Sequence, residues 1–571
     1  MSISVYQATN FQNTARFQFV SASITLSIAR FIPVSLLATA IIFANPGYTQ
    51  EGPCLGDNDL ALINGNIHTL DKNNTVIPSV LIRNGEFLDL AGTNYQKRFC
   101  TDIIDLGERT VIPGLIDNHV HFVRIQNRPG HDTREIETTF STAEVLTTIS
   151  SKSTSVPQGE LITGIGGFIT AQWAEARFPS ITELDQAAPE HPVYLSAFGF
   201  GPGQTNTAGR DLINSLGGKV SPDGSIASRE DTALAYEVLA ASIDDEHRER
   251  QLADVIIWAN KVGLTTAMDM SGTVPGVGFL DQRTGYNPIV NMARDGRLNL
   301  RTRLYFPALD EDLELSQLRG RLDNSFNNFG SDMLKTVGIG EWSVGRTLFN
   351  QQPLSKAAAD AQRQIAERGW AYHQHLHSPE EFDAHLDIWE SLDPEFDLSS
   401  LRWTAGHMSG VTPELVQRIV ALGLGIGAHG QPYLRPGGDA GGPPWRTIVE
   451  SGAVALGGGS DGARISPFNP WSMIYYMVTG INAQNQLVND GQQITRRQAV
   501  KLYSSAQQGW FTGEDDKLGG IATGRFADLV VLNKNVFNQQ LVPDSEIRNM
   551  QSSLTIVDGR IVYTDGTLTI P

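Results

Sequence analysis

From about Leu60 the chain alternates apolar and polar positions in short runs, "LALINGNIHTL" and then "SVLIRNGEFLDLAG", each broken by an Asn-Gly pair. Period-two alternation interrupted by such a dipeptide predicts strands joined by hairpins. The same pattern returns in "FADLVVLNKN" and in "SSLTIVDGRIVYTDGTLTI", which carries an Asp-Gly turn. Residues 55–112 and 506–571 are therefore expected to build one small β-sandwich domain from both chain ends, with residues 113–505 inserted between its halves.

The inserted part changes rhythm. Short apolar runs alternate with stretches of helical period such as "EDTALAYEVLAASIDDEHRERQLADVIIWANKV", the mark of an α/β fold with a parallel sheet. The runs "VIPGLIDNHVHF", "PVYLSAF", "VGLTTAMDM", "LNLRTRLYF", "MLKTVGIG", "WAYHQHLH", "LRWTAGH", "GLGIGAH" and "AVALGGGSD" are candidate strands. A count near eight favours a (β/α)8 TIM-like barrel. The alternative, a doubly wound open sheet, lacks a phosphate-binding glycine fingerprint after a first strand.

Composition narrows the classes of partner. The 571 residues carry a formal charge of -19, which opposes binding to a phosphate backbone and excludes nucleic acid as an expected partner. Within residues 1–50, Arg16 and Arg30 precede "FIPVSLLATAIIFA", an apolar run too short to span a bilayer comfortably, and "NPGYTQ" then breaks any helix. This reads as an export signal, with an uncleaved membrane anchor as the alternative, and places the protein in the periplasm or outside the cell. Cys54 and Cys100 are the two cysteines; in an oxidising compartment they could pair, and two free thiols are the other option. Self-association into homo-oligomers is left open.

With twelve histidines in the chain, their placement is informative. Residues two apart on a strand share a face, so His119 and His121 both point into the barrel where the first strand ends, and barrel chemistry sits at that end. His373, His375 and His377 repeat the arrangement, while His407 and Asp461 each stand where an apolar run stops. Imidazoles and a carboxylate converging in a confined mouth suit a divalent first-row metal. Hydrogen-bonded core histidines are the bland alternative.

These residues carry a resemblance. "VIPGLIDNHVHF", the later single histidines, the strand-terminal Ser-Asp and the closing "GGIATGRFADLVVLNKN" resemble the amidohydrolase superfamily. "SITELDQAAPEHPVYL", "MLKTVGIGEW" and "SDGARISPFNPW" resemble most its YtcJ-like or amidohydrolase 3 branch, which includes N-substituted formamide deformylases. The resemblance implies one or two zinc ions held by His119, His121, His375, His407 and Asp461. It also makes Asp461 the proton shuttle and Lys335, if carboxylated, a bridge between two cations. An unmodified Lys335 paired with a carboxylate such as Glu341 remains the alternative. His373, His377, His429 and Trp342 are assigned to substrate contact. Where relatives carry Gly-His after the "PVYL" strand this chain has "FGFGPGQTNTAGRDL", and where they read Glu-His it has Gly406 before His407.

The implied activity is metal-dependent hydrolysis of non-peptide carbon–nitrogen bonds in a small molecule of amide, formamide or imide type. Two rivals share the scaffold: a lactonase, phosphotriesterase or isomerase, and a secreted binding protein without turnover.

Overall fold

The computed structural model describes residues 59–90, 101–199, 201–270, 285–351, 353–434 and 442–571. Residues 1–50, with the expected export signal or anchor, and both Cys54 and Cys100 lie outside the described residues. Among those described, no helix is long and apolar enough to cross a membrane.

Eight strands form the central parallel sheet: β1 (Leu115–Val120), β2 (Leu264–Asp269), β3 (Arg301–Phe306), β4 (Leu334–Glu341), β5 (Ala371–Leu376), β6 (Thr404–His407), β7 (Gly425–His429) and β8 (Leu456–Gly459). Each neighbouring pair runs parallel. Nearly every residue in them is buried, because helices cover the outer face and side chains fill the inner one. The chain leaving β8 meets β1 through Asp461 N–H donating to His119 O and His121 N–H donating to Gly462 O, both at 2.8 Å. The Asp117 carboxylate adds bonds from Ser460 N (2.9 Å) and Ser460 Oγ (2.5 Å). A (β/α)8 barrel results, and its closing seam runs through the histidine pair.

The expected strand "PVYLSAF" is a strand, Val193–Ser196, but not a barrel stave. It belongs to a five-stranded sheet with His131–Asp132, Ile162–Ile165, Gly203–Thr205 and Ser225–Ile226, inserted between β1 and β2. Trp173 fills the core of this insertion. The long helical stretch beyond it folds as two helices, Arg229–Ala240 and Asp245–Lys261, the second capped by Asp244.

Residues from 59 to 113 and from 521 onwards meet in two sheets around one apolar core that includes Leu62, Ile82, Phe87, Ile104, Val531, Leu554 and Ile556. One sheet contains Asp59–Ile63, Val80–Arg83, Glu86–Asp89 and Thr101–Asp105; in the other, Thr110–Pro113 pairs with Leu529–Leu532. The hairpin pairs Asn84-Gly85 and Asp558-Gly559 all have positive φ, between 50° and 77°, the twist-matched turn that such dipeptides favour. Trp510, Phe511, Leu518 and Phe526 instead close the barrel floor against Ile116, Met268, Tyr305 and Val337.

Candidate metal centre

At the C-terminal ends of the strands, five of the residues singled out in the sequence converge, joined by Glu341 from the end of β4. His121 Nε2 lies 3.2 Å from Glu341 Oε1 and 3.3 Å from Asp461 Oδ1. His119 Nε2 lies 3.5 Å from Glu341 Oε2 and 3.9 Å from Asp461 Oδ1. On the other side, His375 Nδ1 and His407 Nε2 approach Glu341 Oε2 at 2.5 and 3.0 Å. Ligand atoms each ~2.0–2.1 Å from one ion at tetrahedral angles stand about 3.3–3.4 Å apart. The spacing fits two adjoining donor sets, His119, His121 and Asp461 on one hand and His375 and His407 on the other, with one Glu341 oxygen for each.

The local backbone explains the convergence. His119 and His121 alternate in phase on and just past β1, as His375 does on β5. His407 and Asp461 end their runs at φ of 68° and 54°, left-handed conformations uncommon for such residues, which turn both side chains inward. The helix Pro379–Phe396 begins two residues after His377, with Ser378 as its cap, and the Glu381 carboxylate of its capping box accepts the His377 amide at 2.6 Å. The loop behind Asp461 is anchored by the inserted region: Arg128 Nη2 donates to Ala463 O at 2.5 Å and Gly167 N–H to Arg464 O at 2.8 Å. Glu137 accepts the Phe468 amide at 2.9 Å.

Charge distribution supports the same reading. Burial alone would raise Glu341, but the His375 charge and the close approach of the His119, His121 and His375 ring nitrogens hold its carboxyl well below the usual range. Asp461 is held low in the same way, burial being outweighed by its His121 hydrogen bond and the charges of His407 and His119. Burial, with the His375 charge, lowers His407 to about 3. The buried His119 Nε2 has no hydrogen-bond partner, and an orphaned imidazole nitrogen beside two carboxylates is what a cation would satisfy.

Lys335 is not part of this cluster. It stands at the opposite end of β4, and its Nζ donates to Glu514 Oε1 at 3.1 Å beside the Arg303–Glu514 ion pair on the barrel floor. It lies six positions before Glu341 along the strand, about 20 Å of rise. A carbamate on Lys335 could not reach the histidines, and Glu341 occupies the place expected of it. The partner of Lys335 is Glu514, not Glu341.

The expected substrate contacts separate. His377 stays at the mouth, its ring 4.5 Å from those of His375 and His407. Trp342 stacks on His375 at 4.5 Å between ring centroids and is almost fully buried, so it braces a donor. His373 and His429 lie inside the barrel beneath His119, each 0% exposed. His373 Nε2 is 3.2 Å from His119 Nδ1, and His429 Nδ1 accepts the His407 amide at 3.0 Å. Two functional residues escaped the sequence reading. Glu341 ends its apolar run as the other donors end theirs, a signal that pointed to it over Lys335, whereas Gln431, whose Nε2 donates to Asp461 Oδ2, carried no periodic signal.

The sequence profile described as "Amidohydrolase family" matches residues 102–563. The chain is 23% identical over 555 residues to an N-substituted formamide deformylase of Arthrobacter pascens, covering 88% of this chain and 98% of that one. To the putative amidohydrolase YtcJ of Bacillus subtilis (strain 168) it is 22% identical over 511 residues, covering 81% and 90%. Among solved structures, an uncharacterized metal-dependent hydrolase from Pyrococcus horikoshii shares the fold with a TM-score of 0.56 at 17% identity, over 84% of this chain and 98% of that one. Atrazine chlorohydrolase TrzN from Arthrobacter aurescens TC1, in complex with zinc, gives 0.51 at 14% over 89% and 95%. With a profile match running from the terminal β domain through the whole barrel, this chain belongs to the amidohydrolase family.

Proposed function

We propose that the protein is a metal-dependent hydrolase of non-peptide carbon–nitrogen bonds, of amide, formamide or imide type, in a small-molecule substrate. The observation that carries this is the convergence of His119, His121, His375 and His407 on the two carboxylates Glu341 and Asp461. These six residues would hold one or two zinc-like cations, which when bound lower the pKa of water towards ~7 and polarise the carbonyl under attack. The relatives named as a deformylase and an amidohydrolase support the choice of bond.

The chain's own groups supply the rest. Asp461 is ionised at neutral pH, and Gln431 fixes its plane by donating to Oδ2. Asp461 accepts the proton released from water and passes it to the leaving nitrogen, so the departing group leaves as a neutral amine or amide. Trp342, stacked on His375, keeps that ring oriented and one side of the mouth dry.

Metal analysis of the purified protein, with a hydrolysis screen over amides, formamides, cyclic imides and esters, tests the proposal. Stoichiometric zinc with chelator-sensitive turnover of a carbon–nitrogen substrate is expected; turnover confined to esters or phosphotriesters would assign the rival chemistry. Export is part of the proposal, and detection of the protein only in the cytoplasmic fraction would contradict it.

A further inference from the structure

Beneath the donor cluster the barrel wall is bare. Gly406 on β6, Gly427 on β7 and Gly459 on β8 face the interior, and a Cβ at each would strike an imidazole: 2.6 Å from His373 Nε2, 2.8 Å from His373 Cε1 and 2.4 Å from His429 Cδ2. The space left by these glycines admits a second layer of rings under the first. His373 lies in it, fully buried, with its Nε2 3.2 Å from His119 Nδ1.

His119 turns its other nitrogen, Nε2, towards Glu341 and Asp461. An imidazole that offers the Nε2 lone pair to a cation carries its proton on Nδ1 and needs an acceptor there; in most metal sites a carboxylate or backbone carbonyl serves. Here the Nδ1 faces His373. A buried ring with no carboxylate in hydrogen-bond contact is far cheaper to keep neutral than charged. With the His119 Nδ1–H facing it, His373 Nε2 serves as the acceptor, and the proton of the neutral ring falls on Nδ1, which has no hydrogen-bond partner among the described residues.

We propose that His373 is a positioning residue for the metal centre: an uncharged imidazole that accepts the His119 Nδ1 proton, fixes the ring's tautomer and rotation, and takes the role usually held by a carboxylate. This rests on the reading of His119 as a metal ligand. It replaces the substrate contact expected of His373, and it gives Gly406 a reason, since the smallest side chain at 406 would collide with the acceptor. The residue before His407 and the residue at 373 therefore constrain each other.

The test uses the full-length chain with Zn²⁺ as probe, and reads metal affinity by competition with a chromogenic chelator and the melting temperature of the metal-free protein. His373→Leu fills the space without accepting a hydrogen bond and should weaken zinc binding about 10–100-fold. His373→Gln, whose amide oxygen reaches about as far as the imidazole Nε2, should hold zinc within about threefold of wild type. Gly406→Ala, whose Cβ would press on His373 Nε2 and on the Gln374 carbonyl while leaving residue 373 intact, should reproduce the loss, and with a similar metal-free melting temperature. Wild-type affinity in folded His373→Leu or in Gly406→Ala overturns the assignment, as does a glutamine variant no better than leucine at equal metal-free stability, which would mean that His373 only fills space. A wild-type protein that holds no zinc at all would overturn the metal centre itself, and that failure shows in the wild-type arm alone.

Discussion

The two ends of the barrel both gather charged groups and use them in opposite ways. On the floor, Arg301 is paired with Asp528 at 2.7 Å, and Arg303 and Lys335 share Glu514 at 2.7 and 3.1 Å, so every cation meets a carboxylate. At the mouth, four imidazoles crowd the two carboxylates Glu341 and Asp461, and His119 Nε2 among them is buried without a hydrogen-bond partner. A satisfied network holds structure, whereas an unsatisfied one of the right spacing is held ready for a ligand. β4 shows both uses in one strand, with Lys335 at the floor and Glu341 at the mouth.

Substitutions at the mouth should erase chemistry with little loss of fold. Glu341→Ala removes the carboxylate that touches both donor sets, and zinc content and turnover should both fall by well over the ~100-fold upper range seen for outer partners of a metal ligand. Metal analysis with steady-state kinetics checks this. Asp461→Asn should lower kcat by about 10²–10⁴, because an amide cannot take up the proton, while retained zinc falls less.

The floor should behave in the reverse sense. Lys335→Met deprives Glu514 of one partner but leaves it Arg303 and Thr512, and should cost about 1–2 kcal/mol in chemical denaturation with zinc content and kcat unchanged. A loss of metal in that variant would break the contrast. The smallest effect is on acid stability. Burial pulls the Glu514 pKa up, but Arg303 and Lys335 hold it down at about 2, below the ordinary glutamate value of 4.5. A carboxyl with a lowered folded-state pKa stabilises the fold above its unfolded pKa and loses that stabilisation as pH falls towards the folded value. Glu514→Gln should therefore flatten the decline in stability of the wild type between pH 4.5 and about 2, measured by denaturant titration.

Much of the mouth was legible because strand periodicity is a local property. His119 and His121, like His373 and His375, sit two apart, and alternation alone puts each pair on the interior face. Depth along the barrel axis is not local, so His373 read as a neighbour of the donors when it lies one layer below them. The same limit misplaced the bridging group: "MLKTVGIGEW" carries a charge at each end of one strand, and only the position of Glu341 at the stop of the run marks it as the mouth residue. Alternation likewise showed that "PVYLSAF" is a strand without showing which sheet it joins, since partner choice is set by the hairpin that follows in Gly203–Thr205.

The most direct test of the mouth assignment is an anomalous difference map, collected at the zinc edge from crystals of zinc-loaded protein. A peak about 2.0–2.2 Å from the Nε2 atoms of His119 and His121 and from an Asp461 oxygen is expected, with Glu341 within the same reach and any second peak on the side of His375 and His407. A map with its zinc at Lys335, or with none among these six residues, would contradict it.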